Sequence, residues 1–156
     1  MEIATFGAGC FWGVEAAFGN VPGVTSTCVG YAGGDLPDPS YRDVCAGDTG
    51  HTEVVRVEFD GRRVSYATLL DAFWACHDPT QVNRQGPDRG YQYRSVIFCE
   101  NDDQLEAAAE SKRLFEASGK FQRPIATAVE RSRSFYLAED YHQKYLAKRG
   151  MATCHV

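Results

Sequence analysis

A cysteine at the point where a strand gives way to a helix is the first residue whose position suggests chemistry. Cys10 stands in Ala8-Gly9-Cys10-Phe11-Trp12-Gly13, where the N–H groups of a first helical turn and the helix macrodipole would favour a thiolate. Gly7 and Gly9 let the backbone turn sharply before it. The plainer alternative is a thiol buried beside two core aromatics, since cysteines outside disulfides are among the most buried residues. Phe11 and Trp12 are open to the same choice. They either cap the core or wall a pocket for a substrate with a small apolar tip, such as a methyl group.

Glu53 stands out by parity. In the strand after His51, Val55, Val57 and Phe59 alternate onto one face, and Glu53 falls on that same face. A desolvated carboxyl there should hold its proton near neutral pH and suit general-acid work, whereas a carboxylate reaching solvent at the strand end would titrate normally. Tyr31, Tyr41, Tyr91 and Tyr93 lie in or beside two long polar stretches, 33–50 and 77–93. One or two of their phenols could hydrogen-bond a polarised substrate oxygen without bringing charge.

The histidines argue for less. His77 closes the apolar face of Leu69, Leu70, Phe73 and Trp74 and reads as a helix C-terminal residue bonding nearby carbonyls. His51, His142 and His155 are isolated, and no HxxxH or HxH pairing suggests a metal. The six cysteines, at 10, 28, 45, 76, 99 and 154, contain no CxxC, which excludes the usual zinc-ribbon and thioredoxin spacings. Cys154 stands near the end of the sequence, where a tail cysteine can swing toward another sulfur as a core cysteine cannot.

These residues must be positioned by a chain of 156 residues, 44% hydrophobic and 24% charged, with net charge −5. That is single-domain size with enough apolar content for a packed core. The acidic balance draws it toward neither nucleic acid nor an anionic membrane. The longest uncharged stretch, 16–34, carries too many Gly, Pro and polar residues to span a bilayer, and the N-terminus shows no signal-peptide pattern. A cytoplasmic protein is expected.

Alternation predicts strands near 2–7, 24–31, 52–59, 94–99 and 124–130, and helical periodicity predicts helices near 11–19, 65–76, 102–118 and 135–148. The order βαββαβαβα suits an α+β fold, a two-layer sandwich on a ferredoxin-like (split βαβ) core with long functional loops. One catalytic domain, 1–156, is expected, with 149–156 as a mobile tail.

Taken together the motifs resemble those of the A-type peptide methionine sulfoxide reductases. Gly9-Cys10-Phe11-Trp12-Gly13 is similar to that family's nucleophile motif. The likeness continues in the family's order through Val29-Gly30-Tyr31-Ala32-Gly33-Gly34, Thr49-Gly50-His51-Thr52-Glu53 and His77-Asp78-Pro79-Thr80-Gln81, then Asn83-Arg84-Gln85-Gly86 and Gln92-Tyr93-Arg94-Ser95. The resemblance implies that Cys10 is the nucleophile and Glu53 the acid. It makes Phe11 and Trp12 the methyl pocket, Tyr41 and Tyr93 the phenols on the sulfoxide oxygen, and Asp88 a carboxylate that helps hold the substrate.

It also implies reduction of the S epimer of methionine sulfoxide, free or in oxidised proteins, by a monomer needing no metal or organic cofactor. A sulfenic acid on Cys10 would condense with a second thiol, assigned to Cys154, and the disulfide would be recycled by thioredoxin, or by dithiothreitol in the tube. Cys28, Cys45, Cys76 and Cys99 are alternative partners, with Cys45 favoured among them because it lies in the 33–50 loop. Other functions weighed are a thiol peroxidase or Cys–His transferase built on Cys10, and a binding module that keeps the aromatic pocket without catalysis.

Overall fold

The protein is described from a computed structural model, in which residues 1–149 are described. Cys154, His155 and the expected tail from residue 150 onward lie outside the described residues.

A six-stranded mixed sheet positions everything else. Its strands are β1 (Glu2–Ala8), β2 (Val24–Ala32), β3 (Thr52–Phe59), β6 (Ser95–Cys99), β7 (Ala128–Arg131) and β8 (Phe135–Leu137), in the order β7-β6-β1-β3-β2-β8. All neighbours pair antiparallel except β6 with β7, which is parallel. β4 (Arg84–Gln85) and β5 (Asp88–Arg89) form a separate hairpin inside the 77–93 stretch. The helices are α1 (Phe11–Gly19), α2 (Tyr41–Ala46), α3 (Tyr66–Ala75), α4 (Asp102–Ala117) and the single turn α5 (Tyr145–Lys148). The fold is mixed α/β.

Sequence parity maps onto the two sheet faces. Val55, Val57 and Phe59 of β3 join the main core with Phe6 of β1, Phe11, Val14 and Phe18 of α1, and Leu70 and Phe73 of α3. Val54 faces the other way, into a smaller cluster with Ala32, Val96 and Phe98. Burying such aliphatic and aromatic side chains contributes about 1.5 to 3 kcal/mol each against exposure, and this sets the strand registers. Helix starts follow local chemistry. Ser65 caps α3 by accepting the Thr68 N–H, Asn101 caps α4 through the Gln104 N–H, and Ser40 with Asp43 forms a capping box on α2.

The expected helix over 135–148 does not form. Phe135–Leu137 instead adds as an edge strand to β2 at Gly30–Ala32. Beyond it the backbone is held by side chains from other elements: the Gln143 amide accepts from Val29 N–H and donates to the carbonyls of Val29 and Ala138. Glu15 of α1 accepts from both the backbone and the ammonium of Lys144, whose φ of 53° breaks any helix through that point. These long-range bonds outweigh local helix propensity. The strand expected from Pro124 starts later, at Ala128, because parallel pairing with Val96–Cys99 sets its register and the Ala126 N–H bonds instead to the Pro79 carbonyl. Among the described residues no helix is long and apolar enough to cross a membrane.

Candidate active site

β1 delivers the chain to the site and Gly9 turns it. Gly9 has φ 100°, and a Cβ placed on it would meet the Gln85 side chain at 2.7 Å, so glycine is required both for the backbone angle and for the close approach of the β4–β5 hairpin. Cys10 follows as the N-cap residue of α1, half-buried, with its carbonyl accepting the Val14 N–H at 3.3 Å. The thiol therefore sits at the positive end of the helix dipole.

Glu53 lies in the central strand β3, opposite Tyr31 of β2, and is 1% exposed. Its Oε1 accepts the Phe11 N–H at 3.2 Å, which brings the carboxyl to the first residue of α1, next to Cys10. Its Oε2 is buried with no hydrogen-bond partner among the described residues. Burial pushes the carboxyl up to about 8; the Phe11 N–H opposes that rise and nearby Asp88 adds to it. A carboxyl that keeps its proton at neutral pH, with one oxygen uncommitted, is equipped to give that proton away.

The two loop phenols converge on the same carboxyl. Tyr41 opens α2 and Tyr93 ends a 3-10 turn over Tyr91–Tyr93. Burial raises the Tyr41 phenol, helped by its hydrogen bond to Cys45 and by Tyr93 and Glu53 nearby. The Tyr93 phenol is raised by burial, then by Glu53, Cys45 and Asp88, while its hydrogen bond with Tyr41 opposes the rise. Both therefore stay protonated donors. Asp88 pairs with Gln85 across the hairpin, and Gln85 is anchored by accepting the Asp78 N–H at 2.9 Å and donating to the Asp78 carbonyl at 2.8 Å. The hairpin so held against Gly9 places Asp88 within electrostatic reach of Glu53 and Tyr93.

Phe11 is buried in the core, whereas Trp12 is half-buried and forms an aromatic wall. Its indole stacks on Tyr145 at 3.7 Å and donates from Nε1 to His142 Nδ1 at 3.0 Å. Because indole N–H can only donate, His142 Nδ1 is the acceptor, and the neutral ring carries its proton on the buried Nε2, which has no partner among the described residues. Phe11, Tyr41 and Tyr141 pack around the same imidazole. His142 is a site residue that sequence reasoning passed over as isolated, and spacing holds no signal for it, since Phe11, Trp12 and Tyr41 all lie more than a hundred residues away.

The other sequence candidates take structural places. Tyr31 is fully buried and its hydroxyl donates to Glu139 at 2.9 Å; Tyr91 is exposed and lies against the Arg94 guanidinium. His77 Nδ1 donates to the Phe73 carbonyl and Nε2 accepts from Ser95, both at 2.8 Å, and burial pushes the ring down to about 4. His51 accepts the Gly34 N–H at Nδ1 and donates from Nε2 to the Leu36 carbonyl. With both nitrogens of each ring committed, neither imidazole is available as a base for a Cys–His dyad. Cys76 is pushed up to about 12 and Cys28 and Cys99 are also raised, all chiefly by burial, so they remain thiols. Cys45 is exposed beside Tyr41 and Gln92. Among the described residues no group of three or more His, Cys, Asp or Glu is gathered to hold a metal ion.

A thiol at a helix N-terminus, a protonated buried carboxyl one residue away and a pair of neutral phenols are the groups a thiol oxidoreductase with a general acid would use, rather than those of a Cys–His hydrolase. The family model for peptide methionine sulfoxide reductase matches residues 2–156. The chain is 59% identical over 155 residues to a peptide methionine sulfoxide reductase MsrA of Methanothermobacter thermautotrophicus, covering 99% of this chain and 92% of the relative. The structure matches reduced Mxr1 from Saccharomyces cerevisiae with a TM-score of 0.88 at 38% identity, covering 96% of this chain and 86% of the other. Mxr1 has also been solved in complex with Trx2, a form matched at a TM-score of 0.65 and 25% identity over 92% of this chain and 84% of that one. The chain belongs to the peptide methionine sulfoxide reductase family.

Proposed function

We propose that the chain reduces the S epimer of methionine sulfoxide, free or within oxidised proteins, with Cys10 as nucleophile and Glu53 as acid. The observation that carries the reading is the protonated Glu53 carboxyl, held by the Phe11 N–H beside Cys10 with its second oxygen uncommitted. The Cys10 thiolate attacks the sulfoxide sulfur. Tyr41 and Tyr93 donate hydrogen bonds to the sulfoxide oxygen as negative charge builds there, and Glu53 supplies its proton. The S–O bond of the substrate breaks and the protonated oxygen passes to the Cys10 sulfur. Methionine sulfur gains two electrons, Cys10 loses two, and the products are methionine and a sulfenic acid. Trp12 and Phe11 wall the methyl group, and Asp88 helps hold the rest of the substrate.

Cys154 is the thiol that condenses with the sulfenic acid, giving a Cys10–Cys154 disulfide and one water. Thioredoxin then returns both sulfurs to thiols, a step supported by the Mxr1 complex with Trx2. The electrons come from thiols throughout, so the scheme calls for no metal or organic cofactor, and a reducing cytoplasm suits it. We read residues 1–156 as one catalytic domain acting as a monomer. The β6-β1-β3-β2 run, with α1 and α3 as its crossovers, supports a two-layer, split βαβ reading of the core.

The test is dithiothreitol-driven turnover of the separated epimers, with thiols counted before and after substrate when reductant is withheld. Turnover of the S epimer alone, with a pair of thiols lost per chain, is expected. A folded protein that turned over neither epimer would overturn the reading in favour of a peroxidase, or of a binding module if it still bound methionine sulfoxide and did so equally well as Cys10→Ser.

A further inference from the structure

Glu139 lies within the 135–148 segment whose expected helix does not form, and nothing in the mechanism uses it. Its half-buried carboxylate joins two elements of the chain. Oε1 accepts the Tyr31 hydroxyl at 2.9 Å, and Oε2 accepts the Tyr41 backbone N–H at 2.9 Å. Tyr31 is fully buried in β2 directly opposite Glu53, whereas Tyr41 opens α2, a six-residue helix in a long loop outside the sheet.

We infer that Glu139 is a positioning residue for the reaction, fixing the first residue of α2 to the rigid sheet so that the Tyr41 phenol stands over the Glu53 carboxyl. The inference rests on the assignment of Tyr41 to the sulfoxide oxygen. With the Tyr41 nitrogen held by Glu139 and its ring packed on His142 at 4.5 Å between centroids, little freedom is left to the hydroxyl. A phenol so fixed needs no reorganisation when the oxygen becomes charged, and that preorganisation is what makes such a donor effective. Burial alone would raise the Glu139 carboxyl, but hydrogen bonds outweigh it, with the Tyr41 N–H the largest and the Tyr31 hydroxyl adding, and hold it below its ordinary value. It is therefore a charged acceptor at working pH and makes stronger bonds than a neutral group would.

The experiment is a double-mutant cycle on the single-turnover rate of S-sulfoxide reduction at saturating substrate, comparing wild type, Glu139→Ala, Tyr41→Phe and the double variant. Tyr41→Phe should slow the step by about tenfold or more, as losing one donor to a developing oxyanion does. Glu139→Ala should slow it by about fivefold with KM little changed, and should cost less than about twofold when added to Tyr41→Phe, since the two act through one phenol. Glu139→Gln should recover most of the loss: its amide oxygen accepts the Tyr41 N–H and its NH2 donates to the Tyr31 oxygen. Equal factors for Glu139→Ala in both backgrounds, or wild-type rates in Glu139→Ala, would overturn the inference. A Tyr41→Phe enzyme as fast as wild type would remove the Tyr41 assignment itself, a failure visible without touching Glu139. Should Glu139→Ala not fold, hydrogen exchange at the Tyr41 amide of the wild-type protein decides, slow exchange being required and exchange at the rate of an open loop refuting it.

Discussion

Replacing Glu53 by Gln should make the protein less active and more stable, and both effects can be worked from its burial. The Glu53 carboxyl titrates at about 8 in the folded chain against an ordinary value of 4.5. Between those values the folded state holds a proton that the unfolded state has released, so stability falls as pH rises through the window, by about 1.4 kcal/mol per pH unit. By pH 7 the loss reaches roughly 3 kcal/mol, and it levels off above about pH 8, when the carboxyl ionises in both states. Gln is nearly isosteric, keeps an acceptor for the Phe11 N–H and never ionises, so Glu53→Gln should show no such slope. Urea unfolding of both proteins from pH 5 to 9 should give curves that coincide at the acid end and diverge toward the alkaline end, with the variant above. Parallel curves would refute the desolvation argument, and with it the reason for calling Glu53 an acid. In the same series the wild-type rate of sulfoxide reduction should fall as pH rises through about 8, as the proton donor is lost, and Glu53→Gln should be slow at every pH with that alkaline limb gone.

Three further outcomes follow from other parts of the site. Gly9→Ala must hold an L side chain at φ 100° with its Cβ 2.7 Å from Gln85; a loss of about 2 kcal/mol or more in urea midpoint analysis is expected, together with lost activity as the Asp88 hairpin shifts. Arg94 is buried and donates to Thr52 at 2.9 Å and Glu130 at 3.2 Å, so Arg94→Ala should cost about 2 to 4 kcal/mol by the same measurement. Cys154→Ser should leave a first turnover intact but stall thioredoxin-dependent cycling, read as a single-turnover burst of methionine. Undiminished steady-state turnover with thioredoxin would return attention to Cys45.

How much of this was legible depends on the range over which each signal acts. Cys10 and the start of α1 could be read because a strand-to-helix junction flanked by glycines is a local pattern. The face of Glu53 could be read because the period-two alternation of Val55, Val57 and Phe59 sets it within one strand. Tyr41, Tyr93 and Asp88 were drawn from four candidate tyrosines and two long loops only by family resemblance, since neither a six-residue capped helix nor a two-residue hairpin leaves a periodic trace. Glu139, His142 and Gln143 were hidden by a helical pattern over 135–148 that the fold does not follow.

The sequence by itself determined which residues are capable of chemistry and which side of each element they occupy, because side-chain type and backbone period are local properties. Only the tertiary structure decided that Glu53 is dry enough to titrate at about 8, that its acidic partner in the field is Asp88, and that Glu139 reaches α2 from the far end of the chain. Desolvation and hydrogen-bond partnership sum over everything packed around a group, and here what is packed around each group comes from strands, loops and turns separated by as many as 130 residues.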